Sequence, residues 1–282
     1  MRLFYLFCLA AALGLGACNR HLSPAARYEQ EGYRLVWADE FNKDGQPDTT
    51  NWDYERGFVR NEEDQWYQPE NARCTNGLLV IEARKEEQHN TIYKAGSAHW
   101  WENRPVAHYT SASLLTKGKH AWRYGRFEMR ARIDTRPGLW PAWWTMGVDK
   151  TWPAGGEIDM MEYYRKKLLA NIACIDKKGE AEWISHTLNT DSLGKDAWAS
   201  RFHTWRMDWT ETGIALYVDG YLLTCANLEQ LVNKDGTGFN PFRQPHYMLL
   251  NLAIGGNSGG DPSATAFPGR FEVDYVRVYQ KK

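Results

Sequence analysis

Cysteine is scarce, with five in 282 residues, and no C-x-x-C pair or Cys/His cluster appears. Cys8 falls in an apolar leader and Cys18 directly follows it. Cys74, Cys174 and Cys225 remain, an odd number. The pattern gives no support to a disulfide framework or a zinc site, and the three read as small buried hydrophobes. Charge of one sign is also lacking. The net charge is −1 at pH 7, so no strong field recruits nucleic acid, and a neutral or weakly charged partner is expected. The apolar run Leu3 to Leu15 is too short to span a bilayer as a stable helix. Helical periodicity is scarce, with Leu228 to Val232 the best candidate, and no period of 20–50 residues repeats. No heptad or exposed apolar stripe argues for an oligomer, so a monomer is expected.

What is present is apolar and aromatic. Hydrophobic residues make up 43% of the chain, and Trp alone numbers 14. That is enough to bury a sizeable core. Residues 1–17 have the layout of a secretory signal: Arg2, an apolar stretch, then small residues. Leu15-Gly16-Ala17-Cys18 resembles a bacterial lipobox. The resemblance implies cleavage before Cys18, lipidation there, and anchoring in the bacterial cell envelope, periplasm-facing or at the surface. The alternative is a plain signal peptide with an incidental cysteine. Residues 18–31 are polar and read as the lipidated Cys plus a tether, and 32–282 as one domain.

From Tyr33 onward, short strand-like runs are broken by Gly, Asn, Asp and Pro. They include Gly77 to Ala83, Tyr109 to Thr116, Tyr124 to Ile133, Trp140 to Met146, Glu157 to Tyr164, Leu169 to Ile175, Trp183 to Thr187 and Phe271 to Tyr279. Thr212-Gly213 and Asp219-Gly220 suggest hairpin turns. Many strands at short spacing predict an all-β sandwich or barrel.

The informative segment is Gly156-Glu157-Ile158-Asp159-Met160-Met161-Glu162. In a strand, side chains at i and i+2 share a face. Glu157 and Asp159 therefore point the same way, and ideal alternation would turn Glu162 to the other face. A β-bulge at Met160-Met161 restores parity. The Cα separation of Glu157 and Glu162 is then roughly 13 Å. With side-chain reach, the carboxyl groups approach to roughly 5 Å, near the 5–5.5 Å that retaining glycosidases use. Clustered carboxylates repel, so one stays protonated as a general acid while another stays ionised as a nucleophile. An acidic strand edge or a calcium-binding run is the plainer alternative, but Ile and two Met between the acids favour a strand.

These residues resemble the signature of glycoside hydrolase family 16, in its bulged E-I-D-x-x-E form. The similarity covers nearly all of Tyr33 to Tyr279. It includes Leu35 to Phe41, the loop Asn61 to Tyr67, Gly138 to Trp144, Asn251 to Gly256 and Val273 to Tyr279. The resemblance implies a β-jelly-roll sandwich of two curved antiparallel sheets with a concave cleft. It implies Glu157 as nucleophile, Glu162 as acid/base and Asp159 as the assisting carboxylate, with no cofactor required. It places Trp140 and Trp144 under the sugar subsites, leaves Trp143 to the core, and makes Asn61 a hydroxyl ligand. Trp100, Trp101 and Trp152 are further cleft candidates, and Trp66 and Tyr67 candidates for a wall.

Arg165 is expected to face the cleft and to bond a hydroxyl or hold Glu162. The resemblance also brings in a structural calcium at Asp274, near Glu40 and Gly77, as an option rather than a requirement. An Asp274 paired with a base is its alternative. Two departures touch the lining. Leu169 to Ile175 has no His, and Gly255-Gly256 is followed by Asn257-Ser258 rather than Trp. The expected activity is retaining endo-hydrolysis of a β-glucan, β-1,3 or mixed β-1,3/1,4, with a polysaccharide as partner. A galactan hydrolase of the agarase or porphyranase kind stays open, with Arg60, Arg165 or Arg243 meeting any sulfate. So do transglycosylation and a non-catalytic glycan-binding lipoprotein.

Overall fold

The computed structural model describes residues 24–282 apart from Lys195. The signal segment 1–17 and Cys18 lie outside the described residues. Two antiparallel sheets face each other. The back sheet runs Tyr221–Asn227, Gly213–Val218, His203–Trp209, Gly125–Ile133, Gly269–Lys281, Leu78–Ala83 and Ala72–Thr75, with Tyr33–Asp39 also paired to Gly269–Lys281. The front sheet runs Ala181–Asn189, Lys167–Ile175, Glu157–Tyr164, Leu139–Gly147, His246–Ile254, Ser113–Leu115 and Asp53–Tyr54. The arrangement is a β-jelly-roll sandwich.

Period-two alternation builds the core between the sheets. Phe127, Met129 and Ala131 of one back strand are buried in it, while Arg126, Glu128 and Arg130 of the same strand turn to the outer face. From the front sheet, Trp143, Ile158, Met161, Tyr163, Leu168 and Ile172 enter the same core. Each such side chain contributes roughly 1.5–3 kcal/mol on leaving water. Asp219 and Gly220 have φ of 49° and 81° and close the hairpin from Gly213–Val218 to Tyr221–Asn227. That is the positive-φ pair a tight hairpin needs.

Three local expectations change. Leu228 to Val232 contributes only a 3-10 turn, Leu228–Gln230, whose start is capped by the Asn227 side chain. The run Tyr109 to Thr116 breaks at Ala112: Tyr109–Ser111 pairs with Gln65–Tyr67, and Ser113–Leu115 joins the front sheet. The tether shortens, because Pro24–Gln30 is a helix docked on the outer face of the back sheet. Its Tyr28 is buried, lies edge-on to Tyr279 at 5.1 Å between centroids, and donates its hydroxyl to Glu128. Residues 24–31 read as polar because a single aromatic does the docking.

Candidate active site

The acidic strand Glu157–Tyr164 pairs with Leu139–Gly147 on one side and Lys167–Ile175 on the other. On both sides the register slips between Asp159 and Glu162. This is the expected bulge, and it leaves Met160 and Met161 both fully buried. Glu157, Asp159 and Glu162 therefore line one cleft, of about 680 Å³, on the outer face of the front sheet.

No Lys, Arg or His forms an ion pair with these three acids among the described residues; neutral donors hold them. Trp152 Nε1 donates to Glu157 Oε2 at 2.5 Å. Trp140 Nε1 donates to Glu162 Oε1 at 2.9 Å. One amide nitrogen, Asn171 Nδ2, bridges Asp159 Oδ2 at 3.0 Å and Glu162 Oε2 at 2.9 Å. Burial disfavours the charged forms and raises all three carboxyls. Glu162 rises to about 8, through burial and then the Asp159 charge. Glu157 rises to about 7, where burial outweighs the hydrogen bond from Asp159 that favours its ionised form. Asp159, wholly buried and beside Glu157, is pushed well above the carboxylate range and holds the proton of that bond.

Of the expected cleft residues, Asn61, Trp140, Trp144 and Trp152 line the cavity. Asn61 donates to Glu63 at 3.2 Å. The two floor tryptophans line the cleft with little exposed surface. Trp140 and Trp144 are only 8% and 7% exposed, so neither offers an open indole face. Trp140 instead serves Glu162, while Trp144 donates to Asn251 at 2.7 Å and lies under the Arg60 guanidinium, 5.0 Å from the ring centroid.

Arg165 is a correction. Two residues beyond Glu162 is Tyr164, which does line the cleft. Arg165 shares the opposite parity with Tyr163 and sits in the following turn at φ 45°, outside the lining. Tyr163 turns away as expected and donates to the Thr135 carbonyl. Trp100 and Trp101 lie in the short helix Trp100–Asn103, outside the lining. Arg243 is also outside it, which leaves Arg60 as the cleft arginine, ion-paired to Glu55. Of the wall candidates, Tyr67 is buried and its hydroxyl accepts from Asn251.

The side chains around the calcium option make ion pairs instead. Asp274 pairs with Arg130 at 2.5 Å, and Glu40 takes both nitrogens of the Arg277 fork at 2.7 and 2.8 Å. Among the described residues no three His, Cys, Asp or Glu gather as a cation cage. Asn171, Trp183, Ser185 and Asn251 also line the cleft and were not singled out from sequence. Strand register finds the first and third: Asn171 stands opposite Asp159, and Ser185 opposite Asn171.

The glycosyl hydrolases family 16 model matches residues 61–277. A beta-glucanase of Rhodothermus marinus is 35% identical and aligns with 97% of this chain and 93% of that protein. The laminarinase catalytic domain of Thermotoga maritima MSB8 superposes with a TM-score of 0.74 at 32% identity, covering 89% of this chain and 99% of that one. A structure from work on endo-acting O-glycanases of human gut microbiota that initiate mucin breakdown gives 0.81 at 34% identity, covering 89% and 92%. A bulged acidic strand on a jelly roll, with these similarities along nearly the whole chain, places the protein in glycosyl hydrolase family 16.

Proposed function

We propose that the protein is a retaining endo-β-glycanase acting on a β-glucan, β-1,3 or mixed β-1,3/1,4, and that Glu157 is the nucleophile and Glu162 the acid/base. The observation that carries this is the trio of acids on one face, buried and held only by neutral donors. In the first step Glu157 attacks the anomeric carbon, while Glu162 gives its proton to the leaving glycosidic oxygen. Asp159 keeps its proton toward Glu157 and eases the later departure of that carboxylate. In the second step Glu162, now ionised, takes a proton from water, which releases the sugar with its configuration retained. The Trp140 and Asn171 donors steady Glu162 in its charged state. Family members need no cofactor, and no step here calls for one.

The activity requires Glu157 ionised and Glu162 protonated. As pH rises, the rate climbs as Glu157 loses its proton and falls as Glu162 loses its own. The kcat/KM profile is therefore a bell with its maximum between about 7 and about 8. Size-resolved products from laminarin, barley mixed-linkage glucan, agarose, porphyran and mucin O-glycans test the reading, with Glu157→Ala as blank. Short oligosaccharides from a glucan, reduced at least about 10⁴-fold in the blank, support it; binding without cleavage of any polysaccharide refutes it. A second reading, a mucin O-glycan as substrate, is favoured by the 0.81 superposition on the O-glycanase structure. The mechanism is the same, and cleavage confined to the mucin arm would select it.

For the N-terminus we propose lipidation at Cys18 and residence in the cell envelope, with the catalytic domain a monomer. Loss of membrane association on Cys18→Ser, in cell fractionation, tests the anchor.

A further inference from the structure

The aromatic surfaces of the cleft are unequal. Trp140 and Trp144 are almost covered, while Trp152, 48% exposed, lies beside the reacting centre and spends its N–H on Glu157. Trp183 is different. It is 43% exposed, it lines the cleft, and it has no ring partner, cation or hydrogen bond among the described residues. It belongs to Ala181–Asn189, the edge strand of the front sheet. A large bare indole on a sheet edge invites self-association, so its position calls for an occupant.

Register fixes where it stands. Glu157 is opposite Ala173, and Ala173 is opposite Trp183. Residues directly opposite in adjacent strands share a face. Glu157, Ala173 and Trp183 thus form one row perpendicular to the strands. The next row is Asp159, Asn171 and Ser185. Two strand spacings put Trp183 roughly 10 Å from the acidic strand, the length of about two pyranose rings. At the other end of the cleft, Arg60 and its Glu55 partner cover Trp144, so the open indole faces of the cleft are those of Trp152, at Glu157, and of Trp183, farther out.

We propose that Trp183 is the outer sugar platform of this cleft. It stacks on the C–H face of a ring about two residues from the cleaved bond, with the Ser185 hydroxyl in reach of the same stretch of chain. The inference rests on the glycanase reading and adds where along the chain the enzyme grips its substrate. An indole face covers a pyranose with little entropic cost. Because the contact lies away from the reacting centre and is made before and during reaction, its loss appears chiefly in KM.

The test compares the wild type with Trp183→Ala, Trp183→Phe and Ile184→Ala on a ladder of gluco-oligosaccharides and on laminarin. Ile184 is an exposed neighbour on the other face of the same edge strand and controls for a general edge effect. Trp183→Ala is expected to lower kcat/KM about tenfold on long chains, mostly through KM, with a change under about twofold on the shortest chain cleaved. Trp183→Phe recovers most of the loss, and Ile184→Ala changes nothing. A loss equal at all lengths, or none, overturns the platform. A second measurement separates this from the glycanase reading: affinity electrophoresis of Glu157→Ala, with and without Trp183→Ala, in gels of laminarin or mucin O-glycans. Retardation that disappears with Trp183 supports the platform even where no cleavage is seen. Retardation indifferent to Trp183, or none in either gel, overturns it.

Discussion

The outer faces of the two sheets treat their acids in opposite ways. On the back, most acids meet arginines: Arg126 joins Asp208 and Glu31, Arg130 joins Asp274, Arg132 joins Glu272, and Glu82 is shared by Arg73, Arg84 and Arg270, while Glu128 takes the hydroxyls of Tyr28 and Tyr275. Despite its burial, Glu82 is held below the usual carboxylate range by the hydrogen bonds of Arg73 and Arg84. On the front, Glu157, Asp159 and Glu162 have indole and amide donors and one another, with no cation paired to them among the described residues, and all three are pushed upward. Burial acts on both faces, and the nearby cation decides whether a carboxyl is a fixed charge or a working acid.

The contrast can be broken by exchanging partners. Asn171→Lys would give the front acids what the back acids have. Glu162 would ionise at lower pH, and activity at pH 7 should fall about 10³-fold, with the alkaline limb of the pH profile moving down. If the limb stays in place, the neutral surroundings do not set the acid's pKa. Arg126→Met is the reverse operation on the back. It leaves Asp208 with Arg206 alone, at 3.4 Å, releases Glu31, and removes the guanidinium packed between Tyr28 and Tyr33. A loss of about 3 kcal/mol is expected in urea unfolding.

Glu162→Gln sharpens the comparison through stability. A carboxyl whose folded pKa is about 8, against 4.5 unfolded, contributes stability fully below pH 4.5 and loses it as pH rises through 8. The glutamine does not titrate. The Tm of the variant relative to wild type should therefore climb by roughly 10 °C between pH 4.5 and pH 9; a constant difference would contradict the shift. The smallest effect is at Arg132→Ala, a partly exposed pair with Glu272. Less than about 1 kcal/mol is expected in the same urea assay.

Much of this was legible in the chain. The bulge at Met160-Met161 followed from parity alone, since three acids within six residues can share a face in no simpler way. The turn at Asp219-Gly220 followed from the residues that tolerate positive φ. The failures have a common cause. Trp140 and Trp144 were placed on the correct face, but their openness depends on Arg60 and on the hydrogen bonds they make, which are tertiary facts. Asn171 and Trp183 are recognisable only once strand register sets them opposite Asp159 and Ala173. Register joins residues that local periodicity cannot relate. Arg165 was a miscount of parity beyond Glu162, where Tyr164 holds the cleft position. The partner of Asp274, Arg130, is 144 residues away and invisible to local pattern.

The helix pinned by Tyr28 also sets an orientation. It lies on the side of the sandwich opposite the cleft, so the chain leaves the domain from its back. With a lipid on Cys18, only the five residues 19–23 would separate it from Pro24, a reach of roughly 20 Å at full extension. The enzyme would then work like a tool bolted down by its back plate. Its mouth would face away from the bilayer, and only glycan arriving from the open side could thread across Trp183 and into the acids.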